Sequence, residues 1–373
     1  MINIYYDENM PFAKEFFGDL GTLHAFSGRN LTADTVKNAD VLLVRSITKV
    51  NESLLAQNNT LSFVGTATIG VDHIDQTYLN EREVPFYSAP GCNAISVAEY
   101  VISSLVVMSE RYLIDLFSLK VGIVGAGNTG TRLSEKLTAL GIDYVMCDPI
   151  LAENNKDKRN FVSLDEALAC DVISLHVPLT NSGKHATHHL LNEARLSQLT
   201  SNQILINACR GEVIDNNALL SLKQKGMQTK LILDVWEGEP NVLHPLIEYT
   251  EIASAHIAGY SLEGRARGTE MLYQALCKEL NVESNRALND FLPNPSINAV
   301  QIKQAFDEKL LNQLVKIVYD VRRDDGIFRQ QIQSKGFDYI RKTYPARREF
   351  SAVTVSAVEQ VNDDVPHRLG FSQ

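Results

Sequence analysis

The sequence predicts an α/β protein with two doubly wound parallel-sheet domains in tandem and a small α+β segment at the C-terminus. From residue 2 to about residue 256, short β-branched runs alternate with polar segments long enough for crossover helices, the rhythm of parallel sheets. Near the middle, at 119–149, a glycine turn joins a strand to an amphipathic helix. Beyond residue 298 the rhythm stops and an apolar stripe at helical spacing replaces it. A chain of 373 residues exceeds what one hydrophobic core supports, so two or three domains are expected.

In chain order, residues 2–6, 22–26, 41–44, 63–65 and 85–88 read as the strands of a first sheet. A long apolar helix from about 94 to 111 leads into the glycine-turn unit. It is interrupted by Glu99 and Tyr100 and is too short to span a bilayer, so no membrane association is expected. The later strands of the second sheet read as 172–176, 203–207, 231–235 and 251–256, and a helix comes next at 263–280. Residues 281–295 are rich in asparagine and hold two prolines, as a linker would. Ile302, Phe306, Leu310, Leu314, Ile317 and Val321 form one helical stripe, and 350–356 reads as a strand.

The glycine turn carries the first functional signal. Gly125, Gly127 and Gly130 have the G-x-G-x-x-G spacing: the first permits a sharp turn, the second lets backbone approach a pyrophosphate, and the third lets the helix pack close to the sheet. An anion there meets the free N–H groups of a helix N-terminus. Asp148 ends the next strand 148 − 130 = 18 residues on, close to the spacing of a carboxylate that accepts from a ribose hydroxyl. It repels a 2′-phosphate, so NAD is expected in preference to NADP, in a Rossmann-like domain.

Composition excludes other classes. A net charge of −10 and a pI near 5.4 argue against nucleic acid as a partner, because phosphate binding needs a basic surface. The cysteines, five in number, form no C-x-x-C pair, which suggests neither a zinc site nor a disulfide framework but reduced cytoplasmic thiols. No secretory signal is visible at the N-terminus. His176, His185, His188 and His189 lack a ligand pattern, the last three sitting in a polar loop, so no metal is expected.

In open α/β sheets, ligands bind outside the carboxyl ends of the strands. Polar groups come after the strands at Arg45, Ser46 and Thr66 in the first domain, and at Arg210, Glu239 and His256 in the second. Arg210-Gly211, Asp234-Val235, Glu239-Pro240 and His256-Ile257-Ala258, placed after a G-x-G-x-x-G unit, resemble the NAD-dependent D-2-hydroxyacid dehydrogenase family over residues 2 to about 280. The motifs at 7–11, 44–53, 63–68, 89–94 and 256–264 are similar to a branch of that family acting on 4-phospho-D-erythronate in pyridoxal phosphate biosynthesis.

The resemblance implies a discontinuous substrate domain of residues 1–95 and 260–285, a dinucleotide domain of 96–259 and a C-terminal dimerisation domain of 286–373. It implies His256 as the base for a substrate hydroxyl, Glu239 as its carboxylate partner and Arg210 as anchor for the substrate carboxylate and 2-oxygen. Asn128, Thr129, Val177, Asp234 and Gly259 join the glycines and Asp148 at the cofactor. Arg45, Ser46, Thr66 and Tyr260 are expected at the substrate, with Ser46 and Thr66 favoured for its phosphate. A dehydrogenase for another 2-hydroxy acid, such as 3-phosphoglycerate, and a non-catalytic NAD-sensing protein both stay open on the sequence. So do hydride face and stereochemistry, the route by which reduced cofactor is reoxidised, and whether Arg341, Lys342, Arg347 or Arg348 reaches a partner subunit's site. A homodimer is expected because the stripe at 302–321 needs burial and fewer than ninety residues make a marginal core.

Overall fold

The computed structural model describes residues 2–154, 156–358 and 364–373. They form two compact units, one of residues 1–93 with 260–294 and the other of 94–259 with 295–373.

The first unit is a five-stranded sheet of β1 (Ile2–Asp7), β2 (Gly21–Phe26), β3 (Val41–Val44), β4 (Phe63–Thr66) and β5 (Phe86–Tyr87), in the order β2-β1-β3-β4-β5. All its pairings are parallel. Successive side chains of a strand point to opposite faces, and a parallel sheet buries both. Val41 and Leu43 accordingly join a core with Phe16 and Phe17, while Leu42 and Val44 join another with Val36, Leu54 and Leu79. The helix Leu262–Glu279 completes the first of these cores with Leu272, Tyr273 and Leu276, although it arrives long after the strands. It lies close enough to β4 that a Cβ on Gly268 would stand 2.9 Å from the Ala67 carbonyl oxygen.

The second unit holds a six-stranded parallel sheet of β6 (Lys120–Val124), β7 (Asp143–Cys147), β8 (Val172–Leu175), β9 (Ile204–Asn207), β10 (Lys230–Leu233) and β11 (Ile252–Ala253). Its order, β11-β10-β9-β8-β6-β7, places the switch of direction at β6, where ligands of such sheets bind. The 19-residue helix Ala94–Tyr112 is buried along most of its length, and no described helix is long and apolar enough to cross a membrane.

The C-terminal segment departs from expectation. The stripe is not one helix: Ile302 ends β12 (Ala299–Ile302), Phe306 lies in a loop, Leu310 and Leu314 are buried on the helix Glu308–Val318, and Val321 caps the next helix. β12 pairs in parallel with β13 (Thr354–Ala357), which begins four residues later than the strand expected at 350. Ser103 of the long helix donates to the Tyr319 carbonyl and accepts from the Val321 amide, and Leu310, Leu314 and Val321 are buried while Ile317 stays 41% exposed. Phe328, Ile332, Phe337 and Ile340 share the core of the six-stranded sheet. The two compact units divide at 294/295, and residues 295–373 group with residues 94–259.

Candidate active site

Each glycine of the turn after β6 does something different. Gly125 has φ +96°, the left-handed region that costs an L side chain dearly, and its Cβ would lie 2.8 Å from the Val177 amide nitrogen. A Cβ on Gly130 would stand 2.1 Å from the Gly125 carbonyl oxygen, so helix and turn touch there. Around Gly127 a Cβ would meet nothing within 4 Å. That open space, beside the N-terminus of the helix Asn128–Leu140 with Asn128 exposed and Thr129 partly so, fits a dinucleotide pyrophosphate.

Asp148 comes directly after β7 and is partly exposed; it caps the helix Pro149–Ala152 by accepting from the Leu151 amide at 3.1 Å and accepts from the Ala126 amide at 3.0 Å. Four lone-pair directions leave room for a further donor. Beside this turn lies a cation that sequence spacing does not reveal: Arg159 donates to the Ala126 carbonyl at 3.0 Å and to Thr131 Oγ1 at 2.9 Å. Asp157 grips the same guanidinium through both oxygens, at 2.6 to 3.2 Å. Val177, partly exposed, abuts Gly125 after β8. Burial pulls the His176 imidazole down to about 4, so that ring is neutral, with Nε2 2.8 Å from Ser174 Oγ.

Glu239 and His256 meet, although 17 residues apart in sequence: His256 Nδ1 lies 2.8 Å from Glu239 Oε2. The second carboxylate oxygen accepts from the Trp236 amide at 2.9 Å. Burial pushes the Glu239 carboxyl up, but the charge of His256, the hydrogen bond to it and the Trp236 amide outweigh burial and hold it below its ordinary value. His256 itself has φ +55°, a conformation uncommon for a residue with a Cβ. What holds it there is Asp234, 1% exposed, whose backbone carbonyl accepts from the His256 amide at 2.6 Å. The Asp234 carboxylate accepts from Ser254 Oγ at 2.6 Å, the Ile257 amide at 2.8 Å and the Ala258 amide at 2.9 Å. Expected at the cofactor, Asp234 in this structure shapes the loop that presents His256. Trp236, which the sequence leaves between core and cofactor, is fully buried, donates to the Ser254 carbonyl and stacks on Phe328.

Arg210 lies just beyond β9 and is partly exposed, with one guanidinium nitrogen donating to the Cys209 carbonyl at 2.8 Å and its own carbonyl accepting from Asn207 Nδ2 at 2.9 Å. The glycine after it is a packing requirement, since a Cβ on Gly211 would fall 1.9 Å from the Trp236 carbonyl carbon. The Arg210 loop and the Glu239 turn are therefore in backbone contact.

In the first unit, Arg45 lies over the Tyr260 ring at 5.5 Å, and Ser46 is exposed. Thr66, expected at the substrate phosphate, is 0% exposed, with its hydroxyl 2.7 Å from Thr68 Oγ1 and 2.9 Å from His73 Nε2. Thr68, two residues beyond the strand end, is partly exposed and is the threonine with a surface to offer. Gly259 is likewise partly exposed. Of the loop histidines, His185 pairs with exposed Glu153 at 3.0 Å, but His188 and His189 stack on each other at 4.1 Å and are not independent solvated side chains.

Residues 100–258 match the D-isomer specific 2-hydroxyacid dehydrogenase, NAD binding domain, the class that the glycine turn, the strand-end acid and the Arg-Glu-His set define. Residues 291–370 match a domain of unknown function (DUF3410). The erythronate-4-phosphate dehydrogenase of Colwellia psychrerythraea is 62% identical over 392 residues, covering 100% of both chains. That of Tolumonas auensis is 52% identical over 372 residues, covering 100% of this chain and 99% of the relative. A D-lactate dehydrogenase from Aquifex aeolicus, solved with NAD and lactic acid, superposes with a TM-score of 0.61 at 27% identity, over 75% of this chain and 96% of its own. The chain belongs to the erythronate-4-phosphate dehydrogenases, within the NAD-dependent D-2-hydroxyacid dehydrogenase family.

Proposed function

We propose that the protein oxidises 4-phospho-D-erythronate at C2 to (R)-3-hydroxy-2-oxo-4-phosphooxybutanoate, a step of pyridoxal phosphate biosynthesis. The observation that carries this reading is the 2.8 Å pair of His256 Nδ1 and Glu239 Oε2. With Nδ1 engaged by a carboxylate, Nε2 is the nitrogen left to take the substrate's C2 hydroxyl proton. Glu239, held charged, orients the ring and favours the imidazolium formed when the proton arrives. Arg210 presents a planar fork to the substrate carboxylate and 2-oxygen. NAD, when bound, supplies the hydride acceptor; the open space at Gly127, the first turn at Asn128 and Thr129, Val177 and Asp148 would hold it, with Gly259 closing that set.

Arg45, Ser46, Thr66 and Tyr260 are the first unit's proposed groups for the phosphorylated end. The test is reduction of NAD, monitored by its near-ultraviolet absorbance, across a panel of 2-hydroxy acids with and without a terminal phosphate. His256→Asn should lower turnover by about 10² or more while NAD affinity stays near wild type. Ser46→Ala should harm phosphorylated substrate selectively. Wild-type turnover in the His256 variant would remove the base from the mechanism, and no reduction with any acid would leave an NAD-sensing protein.

The protein is further read as a cytoplasmic homodimer. Five buried free cysteines suit a reducing compartment. For self-association, support comes from β12, whose outer edge pairs with no other strand among the described residues, and from Ile297 and Ile317, 47% and 41% exposed. A monomeric mass of the full chain in sedimentation would sink the dimer.

A further inference from the structure

The loop between β8 and the helix Glu193–Leu196 is tightly bound to itself. Thr180 and Thr187 exchange amide-to-hydroxyl hydrogen bonds at 2.8 and 3.1 Å, and the His188 amide donates to the Thr180 carbonyl at 3.0 Å. His189 then takes φ +49° and donates its amide to the Glu212 carbonyl at 2.8 Å. That left-handed step brings two consecutive rings face to face, with centroids 4.1 Å apart and planes at 23°.

A carboxylate meets them. His189 Nε2 lies 2.7 Å from Glu237 Oε1, and its Nδ1 lies 3.7 Å from Asp215 Oδ2. Glu237 is fixed from behind, its Oε2 accepting from the Asn216 amide at 3.1 Å and its own amide donating to Asn216 Oδ1 at 3.2 Å. One ring nitrogen each from His188 and His189 and one oxygen of Glu237 lie within 4.8 Å of one another.

We propose that His188, His189 and Glu237 form a binding site for a divalent transition-metal ion of the zinc type. Two imidazoles are borderline ligands that favour zinc, nickel or copper over the hard oxygen-seeking cations, and a carboxylate is a common third ligand to zinc. Metal–ligand bonds of about 2.0 to 2.2 Å set neighbouring ligand atoms roughly 3.3 Å apart. The 2.7 Å contact between His189 and Glu237 must therefore open by about half an ångström, which the torsions of these two partly exposed side chains allow, while the exposed His188 ring can turn one nitrogen toward the ion. The second shell is already in place: Asp215 faces the other nitrogen of His189, and Asn216 holds the other oxygen of Glu237, which is how ligand orientation is fixed in metal sites. Partial exposure of His189 and Glu237 leaves a fourth position to water.

The site is tested on the full-length protein stripped of metal, titrated with zinc chloride by calorimetry and in competition with a chromophoric chelator. One zinc per chain is expected, and His188→Ala, His189→Ala and Glu237→Gln should each weaken binding by about tenfold or more. His185→Ala, on the same loop, should leave it unchanged. His188 is exposed, so its variant keeps the fold. Absence of saturable zinc binding in the wild type overturns the proposal. So does binding that is unaltered in both His188→Ala and Glu237→Gln, or that is lost only in His185→Ala.

Discussion

The glycines of the nucleotide turn separate two kinds of constraint that look alike in the sequence. Gly130 is held by its own chain, so Gly130→Ala should cost about 1 to 3 kcal/mol of stability through overpacking against the Gly125 carbonyl. Gly127 faces open space, so Gly127→Ala should melt near the wild-type temperature yet bind NAD about tenfold or more weakly. Thermal melts beside cofactor titrations decide it, and equal loss of stability in both variants would show that the space around Gly127 is no ligand cradle. At this scale the sequence was legible where a function is encoded by short spacing. Gly125 to Gly130, Asp148, and the Glu239 and His256 motifs all lie within a few residues of a strand end. It was illegible where a contact is made by folding: Arg159 reaches the turn from a loop 33 residues on from Ala126, and Glu237 meets His189 from 48 residues away. That Thr66 is buried and Thr68 partly exposed is likewise set by the fold, which two threonines spaced by one alanine do not declare.

Among the elements, the helix Ala94–Tyr112 carries a buried polar cluster inside the second unit. Glu99 accepts from Lys136 at 3.2 Å and from the Phe350 amide at 3.1 Å, while Lys136 also donates to the Leu369 carbonyl at 2.7 Å. Arg347, 2% exposed, donates to the carbonyls of Ser96 and Ala258 and lies 3.7 Å over the Tyr319 ring. It is thus committed within its own chain and is no candidate for a partner's phosphate site. Burial pushes the Glu99 carboxyl up to about 7, against the pull of Lys136. An acid raised in the folded state makes that state hold its proton longer, so the stability it contributes is present below about pH 4.5 and is lost as pH rises to about 7. Wild-type stability relative to Glu99→Gln should therefore fall across that window, by about 3 kcal/mol at most. Denaturant melts at several pH values measure it; a difference that stays level or grows with pH would reject the assignment. The helix itself was legible as an apolar run. β12 was not, because its four residues fall between the linker-like stretch at 281–295 and the apolar stripe, whose helical period takes in Ile302.

For the whole molecule, the two parallel sheets were legible because strands and crossover helices alternate at regular spacing, and no contact had to be known to see it. The allegiance of the C-terminal segment was not, since amphipathicity says that a face is buried but not against what. The structure shows Phe328, Ile332, Phe337 and Ile340 in the core of the six-stranded sheet, and the Ala253 amide of β11 donating to Asp325 at 2.8 Å. Four such side chains are worth about 1.5 to 3 kcal/mol each, a sum comparable to the stability of a domain. Deleting residues 295–373 should consequently leave a protein that aggregates or shows no cooperative melt for the nucleotide-binding portion, and a soluble truncation with a sharp transition would contradict that. The late return of the helix Leu262–Glu279 to the first sheet carries its own consequence for biogenesis. A nascent chain emerges in order, so Phe16, Phe17, Val41 and Phe63 leave the ribosome with the face that Leu272, Tyr273 and Leu276 will cover still bare. At ordinary elongation rates that interval lasts roughly 10 to 40 s, far longer than hydrophobic collapse needs. During it the half-made sheet is a client for chaperones, and its native state is set by when translation reaches Leu272 rather than by how fast its own strands pair.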